Sequence, residues 1–165
     1  MRKIVLVGHN IRSAHNVGSL LRTADGLGVS RVCLSGYTPY PSSTTDKRLP
    51  HLAAKIDRQI HKTALGAETS VTWSHFDDVF TLIDQLRKEG FLIAALEQSA
   101  DSTDLNQFQP PQSIALVVGS EVEGLDSRVL EASDVRLEIP MLGAKESFNV
   151  AVAAAIAIYC LRTQP

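Results

Sequence analysis

Ile114-Ala-Leu-Val-Val-Gly-Ser-Glu-Val-Glu-Gly-Leu125 and Leu137-Glu-Ile-Pro-Met-Leu-Gly-Ala-Lys-Glu-Ser-Phe-Asn-Val-Ala151 are the two stretches that decide the fold. Each begins as a short apolar strand and passes into a loop of glycine and polar residues. Each loop then leads to a helix start. Two such loops side by side describe two walls of one small-molecule pocket, because ligands of open α/β sheets bind outside the carboxyl ends of the strands.

Upstream, apolar strand-like runs recur at Ile4–Val7, Arg31–Leu34, Ser70–Trp73 and Phe91–Leu96, joined later by Ile114–Val118 and Val135–Ile139. Helical patterns fill the gaps: Val17–Leu27, Leu52–Leu65, Phe76–Lys88, Ser127–Glu131 and Phe148–Leu161. This alternation predicts an α/β domain with a mainly parallel sheet and helices on both faces. The strands are continuously apolar, as expected when both faces are covered. Ser74, with Asp77 three residues on, is the expected N-cap of the third helix. Asp126 or Ser127 caps the fourth, and Gly90 closes the helix ending at Lys88-Glu89. Ser35–Arg48 and Ser99–Gln112 read as loops. Nothing resembles a repeat or an interdomain linker, so residues 1–165 are expected to form a single domain without a separate extension.

Composition bounds the partners. The 165 residues are 44% apolar and 21% charged, with a net charge of -2 and a pI near 6.2. This argues against a strongly basic nucleic-acid face on one subunit, although a local patch is compatible with it. Cys33 and Cys160 lie in apolar segments without a CxxC pair, pointing to reduced thiols and a cytoplasmic setting. The Met1–Val7 run is too short for a signal peptide. The apolar Val150–Leu161 run is short of the ~20 residues that span a membrane, so protein must cover it. The five histidines show no metal-ligand spacing, and no metal is expected.

Within the first helix, Val17, Leu20, Leu21, Ala24 and Leu27 form one stripe. Arg22 lies off it, sharing a face with Gly18 and Asp25. Gly18 leaves room for a backbone or a ligand to approach, and Asn16 stands at the helix start. Arg22 is either a solvated or Asp25-paired surface residue, or a phosphate- or hydroxyl-facing one. Gly26-Leu-Gly28 follows a helix, so it is a C-cap and turn and not a dinucleotide fingerprint. Gly119-Ser-Glu-Val-Glu-Gly124 lacks the Gly-Lys-Ser/Thr ending of a P-loop. Gly119 lets a ligand approach the backbone, while Glu121 and Glu123 disfavour phosphate and suit a cationic or hydroxyl-bearing group. In the second loop Ser147 or Asn149 is the expected N-cap, and the apolar Met141-Leu142 beside polar Lys145–Asn149 suits a ligand with one flat apolar part.

Three motifs together resemble the SpoU-type branch of the SPOUT RNA 2′-O-ribose methyltransferases: Asn16-Val-Gly-Ser-Leu-Leu-Arg22-Thr-Ala-Asp, Leu116-Val-Val-Gly119-Ser-Glu121-Val-Glu-Gly124-Leu, and Ile139-Pro-Met-Leu-Gly-Ala-Lys-Glu-Ser147-Phe-Asn149-Val-Ala. They occur in the family's order and cover essentially the whole chain. The resemblance implies a C-terminal deep trefoil knot, an exception to unknotted topology. It implies S-adenosylmethionine as cofactor, held by Leu96, Gly119, Ile139, Met141, Leu142, Ser147 and Phe148 largely through backbone groups. Arg22 matches the catalytic arginine, and Asn16, Glu121 and Asn149 match its polar partners. A homodimer through the last and first helices is implied, as is methyl transfer to tRNA or rRNA. A guanidinium with a pKa above ~12 is a poor base, so two roles stay open for Arg22: transient proton acceptor, or stabiliser of developing alkoxide charge.

The chain departs from the family pattern at Lys145-Glu146, at Phe148, where leucine is common, and at Ala151, where serine is frequent. RNA contacts would fall to Arg12, His15, Lys47, Arg48, Lys55, Arg58 and Lys62, or these are ordinary solvated charges. The net acidity implies a shallow salt dependence of RNA binding. A catalytically inactive RNA-binding domain of the same fold is the competing reading. A nicotinamide oxidoreductase is disfavoured, because no GxGxxG follows the first strand.

Overall fold

The computed structural model describes residues 1–44 and 46–164; Thr45, in the expected loop Ser35–Arg48, and Pro165 lie outside the described residues. Along the chain run β1 (Lys3–His9), α1 (Ala14–Gly26), β2 (Arg31–Ser35), α2 (Pro50–Ala64), α3 (Ala67–Ser70), β3 (Trp73–Phe76), α4 (Val79–Lys88), β4 (Leu92–Leu96), β5 (Thr103–Asp104), β6 (Ser113–Val118), α5 (Ser127–Glu131), β7 (Val135–Glu138) and α6 (Val150–Thr163). All described pairings are parallel, in a seven-stranded sheet of order β3-β2-β1-β6-β4-β7-β5. Because strand side chains alternate between faces, β1 and β6 feed two cores. Ile4, Leu6, Ile114 and Leu116 pack with α1 and α6, while Val5, Val7, Ala115 and Val117 pack with α4 and α5. None of the helices is long and apolar enough to cross a membrane.

The α/β reading holds, with local corrections. The expected strand Ser70–Trp73 is displaced. Ala67–Ser70 forms a helical turn, and the strand begins at Trp73, where Val32–Ser35 of β2 provides a parallel partner. Ser74 therefore sits in β3 and caps nothing. Asp78 is the N-cap of α4, accepting from the amides of Phe80 and Thr81, which moves the helix start from Phe76 to Val79. Asp126 caps α5, Asn149 caps α6, and Gly90 takes φ 84° after α4. The two-residue β5 lies within the expected loop Ser99–Gln112. Cys33 is buried, Cys160 is half-buried, and both are free thiols.

Gly18 is explained by packing. A Cβ there would lie 2.1 Å from Thr63 Oγ1 and 2.3 Å from the Ile60 carbonyl oxygen. The backbone of α2, and not a ligand, occupies the room it leaves.

Candidate active site

The loop after β6 folds back upon itself. Ser120 and Gly124 pair as an isolated bridge, and a Cβ on Gly119 would lie 2.6 Å from Gly124 C and O. On the side a Cβ would take, the space beside Gly119 belongs to the loop's own return, while its backbone borders the cleft. Gly124 takes φ 68°, and its missing Cβ makes way for the Glu97 carboxylate. Glu97 Oε2 in turn accepts from Leu125 N at 2.9 Å. A glutamate at the end of β4 therefore braces the loop that follows β6.

That loop forms one wall of a cleft of about 240 Å³ at the carboxyl end of the sheet. Leu96, Val118, Ile139, Phe148, Val150 and Ala153 give it apolar surface. Glu97, Glu121, Glu123 and Glu138 also line it, with no lysine or arginine among the lining residues. Of the residues implied for the cofactor, Leu96, Gly119, Ile139, Ser147 and Phe148 border the cleft, whereas Met141 and Leu142 do not. Leu142 is 98% exposed, since the loop between β7 and α6 turns outward there. The sequence reading missed Glu97 and Glu138, which stand at ends of β4 and β7; two adjacent strands ending in glutamate were the available signal.

Glu121 ties this loop to the first helix. Its Oε2 accepts from Arg12 N at 3.0 Å, and its Oε1 accepts from Ser13 N at 3.3 Å and Asn16 Nδ2 at 2.6 Å. Burial alone would raise the Glu121 carboxyl, but the bonds from Asn16 and the two amides outweigh it and hold it below its usual value. A carboxylate at a helix N-terminus gains further from the exposed amide dipoles. Asn149 Nδ2 donates to Asn16 Oδ1 at 3.1 Å, while Asn149 Oδ1 accepts from Ala151 N. Asn149, Asn16 and Glu121, 133 and 105 residues apart in their pairwise links, therefore form one relay across three elements.

Arg22 stands apart from this relay. It lies six residues beyond Asn16, about 9 Å along the helix at 1.5 Å per residue. It lines a separate shallow groove with Ser19, Thr23, Lys62 and Thr63. Asp25 accepts from Ser70 Oγ at 2.7 Å, and no ion pair joins it to Arg22 among the described residues. Within one chain the structure thus unites three of the four residues expected to be catalytic and leaves the arginine on another face. Arg48, one of the residues offered for RNA contact, is engaged within the chain. It pairs with Asp46 at 2.5 Å and donates to the carbonyls of Tyr40 and Pro41. No cluster of three metal-ligating side chains occurs among the described residues.

Comparison with known proteins places the chain in a family. The model of the SpoU rRNA Methylase family matches residues 3–159. A putative TrmH family tRNA/rRNA methyltransferase of Staphylococcus aureus (strain COL) is 32% identical over 155 residues, covering 94% of this chain and 56% of its own. The 23S rRNA (guanosine(2553)-2'-O)-methyltransferase RlmP of Bacillus subtilis (strain 168) is 32% identical, covering 98% of this chain and 58% of its own. The chain thus spans a little over half the length of these curated relatives. The crystal structure of an AdoMet-bound rRNA methyltransferase from Sinorhizobium meliloti superposes with a TM-score of 0.80 at 22% identity, over 97% of this chain and 56% of that one. With the family model spanning nearly every element from β1 to α6, the chain belongs to the SpoU rRNA methylase family.

Proposed function

We propose that the chain transfers a methyl group from S-adenosylmethionine to a ribose 2′-hydroxyl of tRNA or rRNA. The observation that carries this reading is an acidic, apolar-floored cleft joined through Glu121 and Asn16 to the helix that bears Arg22. The lining suits the cofactor. Leu96, Ile139 and Phe148 offer flat apolar surface, and the carboxylates favour a ligand bearing sulfonium and ammonium charge. Glu123 and Glu138 show no side-chain hydrogen bonds among the described residues and are free to meet those charges. When bound, S-adenosylmethionine supplies the electrophilic methyl carbon and leaves as the neutral thioether. Leu96, Gly119, Ile139, Ser147 and Phe148, which border the cleft, would hold it.

The chain's polar residues do the remaining work. Asn149 and Glu121 fix Asn16 from two sides and so set the attitude of α1 against the cleft. Arg22 faces the incoming ribose, where a fixed cation lowers the cost of oxygen charge as the hydroxyl proton leaves. Arg22 reaches the cleft from the second subunit of a homodimer. Val152, Ile156 and Tyr159 of α6 are 47%, 37% and 61% exposed, and Ile156 and Tyr159 adjoin Thr23, Gly26 and Leu27 at the end of α1. Burying this face against a second copy brings α1 of one protomer near the cleft of its partner. The return of residues 139–149 supports the knotted topology of the resemblance. β7 lies beyond β4 from β6, yet α6 packs on α1 and β6, so the chain re-crosses the strand ends.

The test is transfer of labelled methyl from S-adenosylmethionine to bulk tRNA and rRNA, with calorimetry for cofactor binding. Wild type is expected to label the 2′-hydroxyl of one RNA class. Arg22→Ala is expected to lose transfer at least 100-fold, in line with losses of ~10²–10³ for a removed charge-stabilising donor, while binding the cofactor normally. Cofactor binding and RNA binding without any transfer by wild type would instead establish the inactive RNA-binding alternative.

A further inference from the structure

A second cleft lies on the same strand-end edge, with the opposite electrostatic character. It encloses about 390 Å³ between the loop after β2 and helix α2. Arg12, Arg48 and His75 line it together with Tyr37, Tyr40 and Gln59, and no carboxylate does. Its floor is already stacked. The Tyr40 and His75 rings lie 4.2 Å apart, and the Arg48 guanidinium sits 3.7 Å from the Tyr40 centroid. Asp46 neutralises Arg48, so Arg12 is the free cation of the cleft. Arg12 is exposed, and no carboxylate pairs with its side chain among the described residues.

Tyr37, like Arg12, is a side chain of this wall left without a partner among the described residues. Its ring is 57% exposed and has no aromatic or cationic neighbour among the described residues. Yet the turn that carries it is held from below by buried polar groups. Tyr37 N donates to Asn10 Oδ1 at 3.2 Å, and Gly36 N donates to Phe76 O at 3.0 Å. The Thr38 hydroxyl, 1% exposed in its residue, accepts from Ile11 N at 3.0 Å and donates to Ser35 O at 2.7 Å. Gly36 takes φ 66° with the Asn10 amide oxygen where a Cβ would stand. Asn10 itself is fixed in the left-handed region at φ 54° and bonded to His9. An aromatic ring presented to solvent on so braced a turn is placed for a flat ligand, because little backbone freedom remains to be lost on binding.

The two clefts share one segment. Arg12 and Ala14 line this second cleft, while the backbone of Arg12 and Ser13 and the side chain of Asn16 are bonded to Glu121 in the first. We infer that the Tyr37 cleft is a nucleobase subsite, which takes an unpaired base next to the nucleotide whose ribose is methylated. Tyr37 stacks on the base, the Gln59 amide meets its edge, and Arg12 meets the adjoining phosphate. Single-stranded RNA is recognised by this combination of aromatic faces and cations. The inference rests on the RNA methyltransferase reading above and adds where the substrate strand runs.

The test uses the full chain, a fluorescein-labelled pool of short random-sequence oligoribonucleotides, and bulk tRNA and rRNA as methyl acceptors. Tyr37→Ala is expected to weaken oligonucleotide binding and raise the KM for RNA by about five- to hundredfold, the range that stacking on one aromatic supplies. Cofactor affinity should stay the same, and Tyr37→Phe should recover most of the binding. Lys88→Ala, an exposed cation of α4, should bind as wild type. Ultraviolet crosslinking of the pool should leave a nucleotide adduct on the tryptic peptide of residues 32–47. Unchanged RNA affinity and KM in Tyr37→Ala, or adducts confined to other peptides, overturn the subsite while leaving methyl transfer by wild type intact. Weakened binding in Tyr37→Ala without methyl transfer by wild type supports the subsite and sinks the enzymatic reading. Failure of wild type to bind the pool overturns the subsite whatever is methylated.

Discussion

His9 shows how one residue's charge state reaches a surface it does not touch. It is 7% exposed, with Nδ1 3.0 Å from Ser35 Oγ and Nε2 3.1 Å from Asn10 Nδ2. Because Asn10 Oδ1 is engaged by the Tyr37 amide, the Asn10 amide nitrogen faces the ring and donates to Nε2. Nδ1 therefore carries the proton and donates to Ser35. Burial lowers the His9 pKa below 6.5, with the charges of Asp126 and Asp78 opposing it only in part. A lowered folded value means the unfolded chain binds more protons, so this stability is present above about 6.5 and lost as pH falls toward the folded value. Urea midpoints should accordingly drop as pH falls below about 6.5, and His9→Gln should flatten that part of the profile. An identical pH profile in His9→Gln would refute this. None of this was legible beforehand, since a histidine ending a strand carries no sign of which atoms will meet its two nitrogens.

Among the elements, the contact between α1 and α2 depends on Gly18. With Thr63 Oγ1, Ile60 O and Ala64 N all within 2.9 Å of the position a Cβ would take, Gly18→Ala must separate the helices. Overpacking of this kind costs roughly 1–3 kcal/mol, and two of the three neighbours are backbone atoms that cannot rotate away. Denaturant titration should show the loss, and no loss would mean that the helices cross farther apart. The sequence placed Gly18 on the right face but could not say that α2 fills it, because the partner helix comes some forty residues later. The same limit explains β3. Period and propensity point to an apolar run near Ser70, whereas the strand forms where β2 can pair with it, at Trp73. Capping was more legible: Asp126 and Asn149 act within their own turn, so local chemistry was enough to identify them.

For the whole molecule, the exposed apolar band of α6 is the face on which the proposed dimer would form. Ile156→Glu places a carboxylate in a band that also contains Val152 and Tyr159. If a second copy covers it, sedimentation should show dimer for wild type and monomer for the variant, with methyl transfer lost alongside. A variant that stays dimeric would move the interface elsewhere. Charge sets a second global property. With net charge -2 and Arg48 paired internally, few phosphates are neutralised per subunit. The logarithm of RNA affinity should fall only gently with the logarithm of salt concentration, each phosphate contact contributing a slope of about -0.7 for single strands. A slope steeper than about -3 would require more cations at the interface than Arg12, Arg22, Lys55 and Lys62 supply. The parallel α/β architecture was readable from its alternating apolar runs. The separation of Arg22 from the acidic cleft was not, since the motif order says nothing about which face of α1 meets the loop after β6.

Helix α1 packs against α6 as well as α2, and the chain ends meet where Arg162 donates to the Arg2 and Gly28 carbonyls. During synthesis α6 emerges more than a hundred residues after α1. At about 5–20 residues per second, the stripe of Val17, Leu20, Leu21 and Ala24 waits roughly 6–25 s for its final cover. Throughout that interval the nascent chain carries an open hydrophobic seam on the ribosome, which makes it a client for whatever factor shields such surfaces near the exit tunnel.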